Sequence, residues 1–339
     1  MTDKETPQDS SNDIDELFKG TTADSAQEEE EAPKPEKLEA EGLVSESRTA
    51  VLSKQPAEPG DVVHGDLLIQ HIEVQPGMKV LEAYDLVKIY RRRRVVDHVD
   101  LKVTEGRIVG LLGPNGAGKT TSFYMMVGLI RPNSGRIFMN GREITKIPIY
   151  QRARLGLGYL AQEPSIFRKL TVEENVLLIL EALGVPYRQR MERTDEILEE
   201  LDLTRLRRSP GNTLSGGERR RCEIARALAG SPDFMLLDEP FTGVDPIAIQ
   251  DIQRIVKMLR KKGIGILVTD HSVRDILGVS DWVYIMHQGK ILQSGRSREI
   301  AQSEIAKKYY LGERFQADES LLGIMDELER ENVGEGAET

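Results

Sequence analysis

The chain has 339 residues, 39% of them apolar, which is enough for one large domain or two small ones with a real core. Its formal charge of −10 is unevenly spread: residues 1–77 carry 19 acidic and 6 basic side chains, residues 316–339 carry 8 and 1, and the middle carries 29 and 39. The single cysteine, Cys222, excludes an internal disulfide and any multi-cysteine metal site and points to a reducing compartment, while no apolar run reaches the roughly 20 residues of a membrane-spanning helix.

The N-terminus, MTDKETPQDSSNDIDELF, has neither a basic start nor an apolar core, so no signal peptide is expected and the protein reads as soluble or peripheral. Residues 1–77 are rich in Glu, Pro, Ser and Asp and read as an acidic, largely disordered arm, because they bury too little apolar surface to offset chain entropy. Two apolar islands interrupt it. DIDELF at 13–18 is either a short docking motif or a chance cluster, and VVHGDLLIQHIEV at 62–74 could add a strand to the edge of the domain.

Folded sequence is expected from near Val80. VLEAYDLVKIY and VVDHVDLKV alternate as strands do, separated by the basic turn RRRR at 91–94. A third strand, RIVGLLG at 107–113, runs into a Gly-rich loop and a helix. From about 165 to 210 the spacing of apolar residues changes to three and four, in TVEENVLLILEALG and QRMERTDEILEELDL, which predicts a helical insertion. Beyond it, ERRRCEIARALA reads as a helix, FMLLDEP as a buried strand, IAIQDIQRIVKMLRKKG as a helix and GILVTDHS as another buried strand. That alternation predicts an α/β domain over 78–315 with a mostly parallel sheet covered on both faces. The tail 316–339 holds an apolar stripe, Leu321, Ile324, Met325 and Leu328, on a short acidic helix that either docks or frays.

The chemistry is concentrated in three places. Gly113, Pro114, Asn115, Gly116, Ala117, Gly118, Lys119 and Thr120, with Thr121 after them, match G-x-x-x-x-G-K-[ST] between a strand and a helix. Such a loop turns its amide hydrogens inward on phosphates, Lys119 supplies a cation and Thr120 a hydroxyl for Mg2+. FMLLDEP ends in adjacent carboxylates that point in different directions, so Asp238 can hold the metal while Glu239 faces the attacking water. LSGGE, Leu214 to Glu218, opens a helix with Ser215, Gly216 and Gly217. It reads as a second anion site with both glycine amides exposed, or as an ordinary serine cap.

In that order, the motifs resemble the ABC ATPase family over about residues 80–315. The resemblance implies a P-loop ABC ATPase fold with a mostly parallel core sheet, an antiparallel β subdomain and a helical insertion. It also implies ATP with Mg2+, and a head-to-tail homodimer in which each nucleotide lies between one copy's phosphate loop and the other's Ser215 to Gly217. Tyr90 looks like the aromatic that stacks on adenine, Gln162 in GYLAQEPSIF like the glutamine that reaches the metal and the water, Gly243 to Pro246 like the loop crossing the dimer interface, and His271 like the histidine at the γ-phosphate. Ala161 stands where relatives often have proline.

Within the family, stretches such as GYLAQEPSIFRKLTVEENV, LLDEPFTGVDPIAIQDI and KKYYLGERF resemble the ATPase subunits of bacterial lipopolysaccharide exporters. That resemblance implies a peripheral cytoplasmic subunit that drives inner-membrane partners, with Phe167 and Arg168 near Gln162 as candidate contacts, or a packed Phe and a solvated Arg. Three alternatives stay open. They are the ATPase of an importer, for example of branched-chain amino acids; a soluble ABC protein acting on DNA or ribosomes, which the single GKT and single LSGGE count against, so no nucleic acid is expected; and a nucleotide-binding regulator without turnover.

Overall fold

In the computed structural model, which describes residues 68–312 and 317–334, the first paired backbone is β1 (Leu68–Ile69). The island at 13–18 therefore lies outside the described residues, as does the rest of the acidic arm before 68. The start expected near Val80 moves back to Leu68. β1 pairs in parallel with Gln293 and Ser294, the Ser294 hydroxyl donates to the Gln70 carbonyl at 2.7 Å, and Ile72 is buried. The segment thus adds a short edge strand to the sheet, as expected of the apolar island at 62–74.

β2 (Val80–Tyr90) and β3 (Arg93–Thr104) form an antiparallel hairpin that turns on Arg91 and Arg92, both at positive φ (46° and 67°). Two-residue hairpin turns of this hand favour Asn and Gly, so an arginine pair here is a strained choice. β4 (Ile108–Leu112) leads through the Gly-rich loop to α1 (Lys119–Val127). β5 (Ser134–Met139) and β6 (Arg142–Glu143) complete a four-stranded sheet in the order β3-β2-β5-β6. α2 (Ile149–Arg154) then precedes β7 (Leu157–Leu160).

The helical insertion consists of α3 (Val172–Ala182) and α4 (Tyr187–Glu200). α3 starts where it does because Thr171 and Glu174 form a reciprocal capping box. α5 (Gly216–Leu228), β8 (Phe234–Asp238), α6 (Pro246–Lys261), β9 (Gly265–Thr269) and α7 (Val273–Leu277) follow. α6 begins with Asp245 as its cap and Pro246 at the first position, and buries Ala248, Ile252, Ile255, Val256 and Leu259 along one face. β10 (Trp282–His287), β11 (Lys290–Arg296), α8 (Ser297–Gln302), α9 (Glu304–Ala306), a π-helical turn (Lys307–Leu311) and α10 (Glu319–Gly334) close the order.

The main sheet runs β1-β11-β10-β4-β9-β8-β7, parallel throughout except at the β10–β11 hairpin. Its central strands are buried at every residue because both faces are covered. Leu112, Leu237 and Val268 pack in the helical core, and Leu111, Leu236 and Leu267 pack in the core shared with α1 and the antiparallel sheet. The carboxyl ends of β4, β7, β8 and β9 consequently open on one edge, where the loops carrying Gly113, Gln162, Glu239 and His271 emerge together.

The choice left open for the C-terminal stripe resolves as docking: Leu321, Met325 and Leu328 are buried, with Ile324 half-buried beside them. Arg274 pairs with Asp318 at 2.7 Å, and Arg298 pairs with Asp326. Of YYLGERF, only Tyr309 to Gly312 falls within the described residues.

Candidate active site

The phosphate-type loop is shaped by backbone that only glycine accepts. A Cβ at Gly113 would lie 2.1 Å from the Met286 carbonyl oxygen, and one at Gly118 would lie 2.6 Å from that of Val95. Gly118, at φ 104°, opens α1 without any side-chain cap, so the first amides of the helix point freely from its N-terminus. The Lys119 ammonium folds back over this loop and donates to the carbonyls of Gly113 (2.5 Å) and Pro114 (3.2 Å). Burial holds its pKa below the ordinary lysine value, with the Glu239 charge opposing.

At the end of β8, Asp238 is 1% exposed. Its Oδ1 accepts from the Thr269 hydroxyl at 2.9 Å, and among the described residues its Oδ2 makes no hydrogen bond of normal geometry, although the Tyr124 hydroxyl is near enough to favour the charged carboxylate. Burial raises its pKa, and the Thr269 bond pulls the other way. Glu239 follows at φ 44°, a left-handed backbone that swings its carboxylate out of the strand pleat. Glu239 Oε2 accepts from the Gln162 side-chain amide at 2.8 Å and from the Thr242 hydroxyl at 3.1 Å. The Thr242 oxygen lies 3.1 Å from His271 Nδ1, and His271 is 64% exposed, facing outward. Gln162, Glu239 and His271, read separately from the sequence, are thus joined through a residue that reading did not single out.

Two further groups missed by sequence reasoning support this cluster. Arg220 on α5 is 6% exposed; it donates to the carbonyls of Ala161 (2.7 Å) and Asp238 (3.1 Å) and pairs with Glu223 at 3.1 Å. Glu223 in turn accepts from the Ser165 amide at 2.6 Å. Asp270, 1% exposed, accepts from the amides of Phe241, His271 and Ser272 and ties the loops after β8 and β9 together. Their signals were present but ambiguous, since the run ERRRCE looks like a solvated helix face.

Ser215 caps α5 through a capping box with Glu218 (3.3 Å and 2.8 Å), so the bland alternative for LSGGE holds within this chain. Among the described residues no hydrogen bond joins Ser215 to Gly113–Thr121. The reading of both glycines as exposed is corrected at Gly217. That residue is buried, and a Cβ there would stand 2.7 Å from Ala248, so glycine is required for α5 to pack on α6; Gly216 is open. Tyr90, at the end of β2, is 45% exposed with the Lys88 ammonium over its ring. Phe167 is also exposed, with the Arg226 guanidinium 4.8 Å above its ring, and Arg168 is exposed beside it. The fully buried Asn175 fixes that loop by accepting from the Phe167 amide and donating to its carbonyl.

The donor set suits a magnesium ion held partly by phosphates. Among the described residues one buried carboxylate oxygen, Asp238 Oδ2, makes no hydrogen bond of normal geometry, and no group of three or more His, Cys, Asp or Glu could hold a metal by itself. No helix of the described residues is long and apolar enough to cross a membrane.

A family model described as ABC transporter matches residues 96–242. The chain is 55% identical over 238 residues to the lipopolysaccharide export system ATP-binding protein LptB of Acidithiobacillus ferridurans, covering 70% of this chain and 99% of that protein. It is 52% identical over 239 residues to LptB of Escherichia coli (strain K12), again covering 70% and 99%. Among solved structures it is similar to an ATP-binding cassette of an ABC transporter in its ADP conformation, with a TM-score of 0.63, 28% identity, and coverage of 70% of this chain and 100% of the other. A nucleotide-free cassette from an ABC transporter gives 0.60 and 29%, covering 73% and 98%.

Proposed function

Because the chain belongs to the ABC transporter family of ATP-binding cassettes, we propose that it is the ATP-hydrolysing motor of a transporter that extracts lipopolysaccharide from the inner membrane for export to the outer membrane. The cargo rests on relatives named for lipopolysaccharide export that are matched over nearly their whole length. The catalytic reading rests on one contact, the 2.8 Å bond between Gln162 and Glu239 that brings the loops after two neighbouring strands to one point.

In this reading the amides of Gly116 to Thr121 and the Lys119 ammonium receive the phosphates, and Tyr90 stacks on adenine. Thr120, Asp238 and Gln162 would hold magnesium, which when bound neutralises phosphate charge. Glu239 orients water and accepts its proton, Gln162 fixes the carboxylate, and His271 contacts the γ-phosphate. Ser215, Gly216 and Gly217 of a second copy complete each site, which makes the working unit a head-to-tail homodimer that closes on ATP and opens after hydrolysis. Membrane subunits engage the exposed Phe167 and Arg168 beside Gln162, placing the protein peripherally at the cytoplasmic face of the inner membrane.

Affinity purification of the full chain from membranes tests the assignment. Recovery with lipopolysaccharide-export subunits is expected, and recovery with a binding-protein-dependent importer permease would overturn the cargo. Glu239→Gln is expected to trap an ATP-bound dimer, and undiminished hydrolysis in that variant would remove Glu239 from its role. Ser215→Arg is expected to block ATP-dependent dimerisation; normal closure would count against shared sites.

A further inference from the structure

We propose that Thr242 is a positioning residue that couples Glu239 to His271 through its single hydroxyl, so that the group orienting water and the group meeting the γ-phosphate respond as one. The inference rests on the catalytic reading of Glu239 given above and assigns a role to a residue outside the motifs that carry that reading.

The available hydrogens fix the direction of each bond in this cluster. A carboxylate only accepts, so the 3.1 Å contact between Thr242 Oγ1 and Glu239 Oε2 commits the hydroxyl hydrogen to Glu239. The hydroxyl oxygen then has only lone pairs to offer, and the contact at 3.1 Å with His271 Nδ1 requires the histidine to donate. Asp270 Oδ1, another pure acceptor, lies 3.2 Å from the same nitrogen and makes the same demand. The chain of bonds therefore has one direction, from His271 Nδ1–H through Thr242 to Glu239. In the neutral ring it leaves Nε2 as the acceptor nitrogen of a side chain that is 64% exposed. Glu239 needs such a hold because its left-handed backbone releases it from the strand pleat; otherwise, among the described residues, only Gln162 donates to its carboxylate. Thr242 itself is exposed and on a loop, so it has no packing duty that would explain a threonine there.

The test is a double-mutant cycle on the full-length protein, read by single-turnover ATP hydrolysis and by KM for ATP. Thr242→Val keeps the shape and removes the hydroxyl. It is expected to lower kcat about tenfold, the size of a hydrogen bond to a charged group, with KM within about twofold of the parent and an unchanged Tm. Thr242→Ser is expected to restore kcat. In a His271→Ala background, Thr242→Val is expected to cost clearly less than in the parent, because only the bond to Glu239 and no longer the coupling to His271 is left to lose. An equal fold-loss in both backgrounds, a Thr242→Ser variant as slow as Thr242→Val, or full activity in Thr242→Val would each overturn the proposal. Glu239→Gln in the same assay separates the two levels. If that variant turns over normally, the catalytic reading fails. If it is dead while Thr242→Val is fully active, only the role of Thr242 fails.

Discussion

The Arg220 guanidinium donates to the backbone carbonyl of Asp238 at 3.1 Å, so the helix that starts at Ser215 grips the end of the strand that carries both catalytic-type carboxylates. The same side chain holds the Ala161 carbonyl, one residue before Gln162. Arg220 and Glu223 are the two halves of a buried pair, and removing one strands the other's charge.

Arg220→Ala is therefore expected to destabilise the protein by about 3 kcal/mol, because Glu223 would stay buried without its cation. Hydrolysis should fall with it, since Gln162 and Glu239 lose a common anchor. Denaturant unfolding alongside an ATPase assay checks this; a change below about 0.5 kcal/mol would show that the pair does not brace the site.

Asp238 presents a stability cost at the centre of the site. Burial holds its pKa above the ordinary value, so the folded protein binds that proton more tightly than the unfolded chain. This group's contribution to stability is greatest below the ordinary carboxylate range and falls as pH rises through the interval between the ordinary and the raised value. Asp238→Asn, measured in EDTA at pH 7, should be more stable than the parent by about 1–2 kcal/mol and inactive in hydrolysis. A less stable variant would contradict the assignment of Asp238 Oδ2 as an oxygen without a hydrogen bond of normal geometry.

Gln162→Ala should reduce hydrolysis about tenfold while leaving ATP binding in place, because it removes one of two donors to Glu239. Gln162→Glu should behave differently. It replaces the donor with a second acceptor that repels the Glu239 carboxylate, so hydrolysis should fall further than in Gln162→Ala. Equal losses in the two variants would mean that the side chains do not meet in the working enzyme.

Met325→Ala on α10 is expected to cost about 2–4 kcal/mol of stability, since Met325 is 1% exposed, with no change in KM for ATP. Thermal melts and steady-state kinetics on the same preparation distinguish this from a catalytic effect.

The fold was legible because its central strands are short, wholly apolar runs. Phe234 to Leu237 and Ile266 to Val268 can only be strands covered on both sides, and the alternation with helices dictates a parallel sheet. The candidate site was legible where local spacing carries the chemistry, as in Gly113 to Thr120, and obscure where contact depends on distant segments. Arg220 meets a carbonyl 59 positions earlier, and nothing in ERRRCE distinguishes it from Arg219 or Arg221 except its place on the inner face of α5. Thr242 was hidden by its ordinariness, one threonine in a loop whose hydroxyl meets two side chains, Glu239 and His271, from different loops. The apolar island at 62–74 was legible as an edge strand, although the start of the folded domain was set too late, near Val80, because the acidic composition around the island outweighed its few docking residues.

The helix α5 has Ser215 at its tip and Arg220 and Glu223 five and eight residues further along, clamped beneath Gln162 and Asp238. In the head-to-tail pair proposed above, the tip would serve the neighbour's nucleotide and the clamp its own. Such a rod cannot be tugged at one end without disturbing the other, so the pair should behave as a single engine with two fuel ports. A dimer built from one intact and one crippled copy should then run at well under half speed.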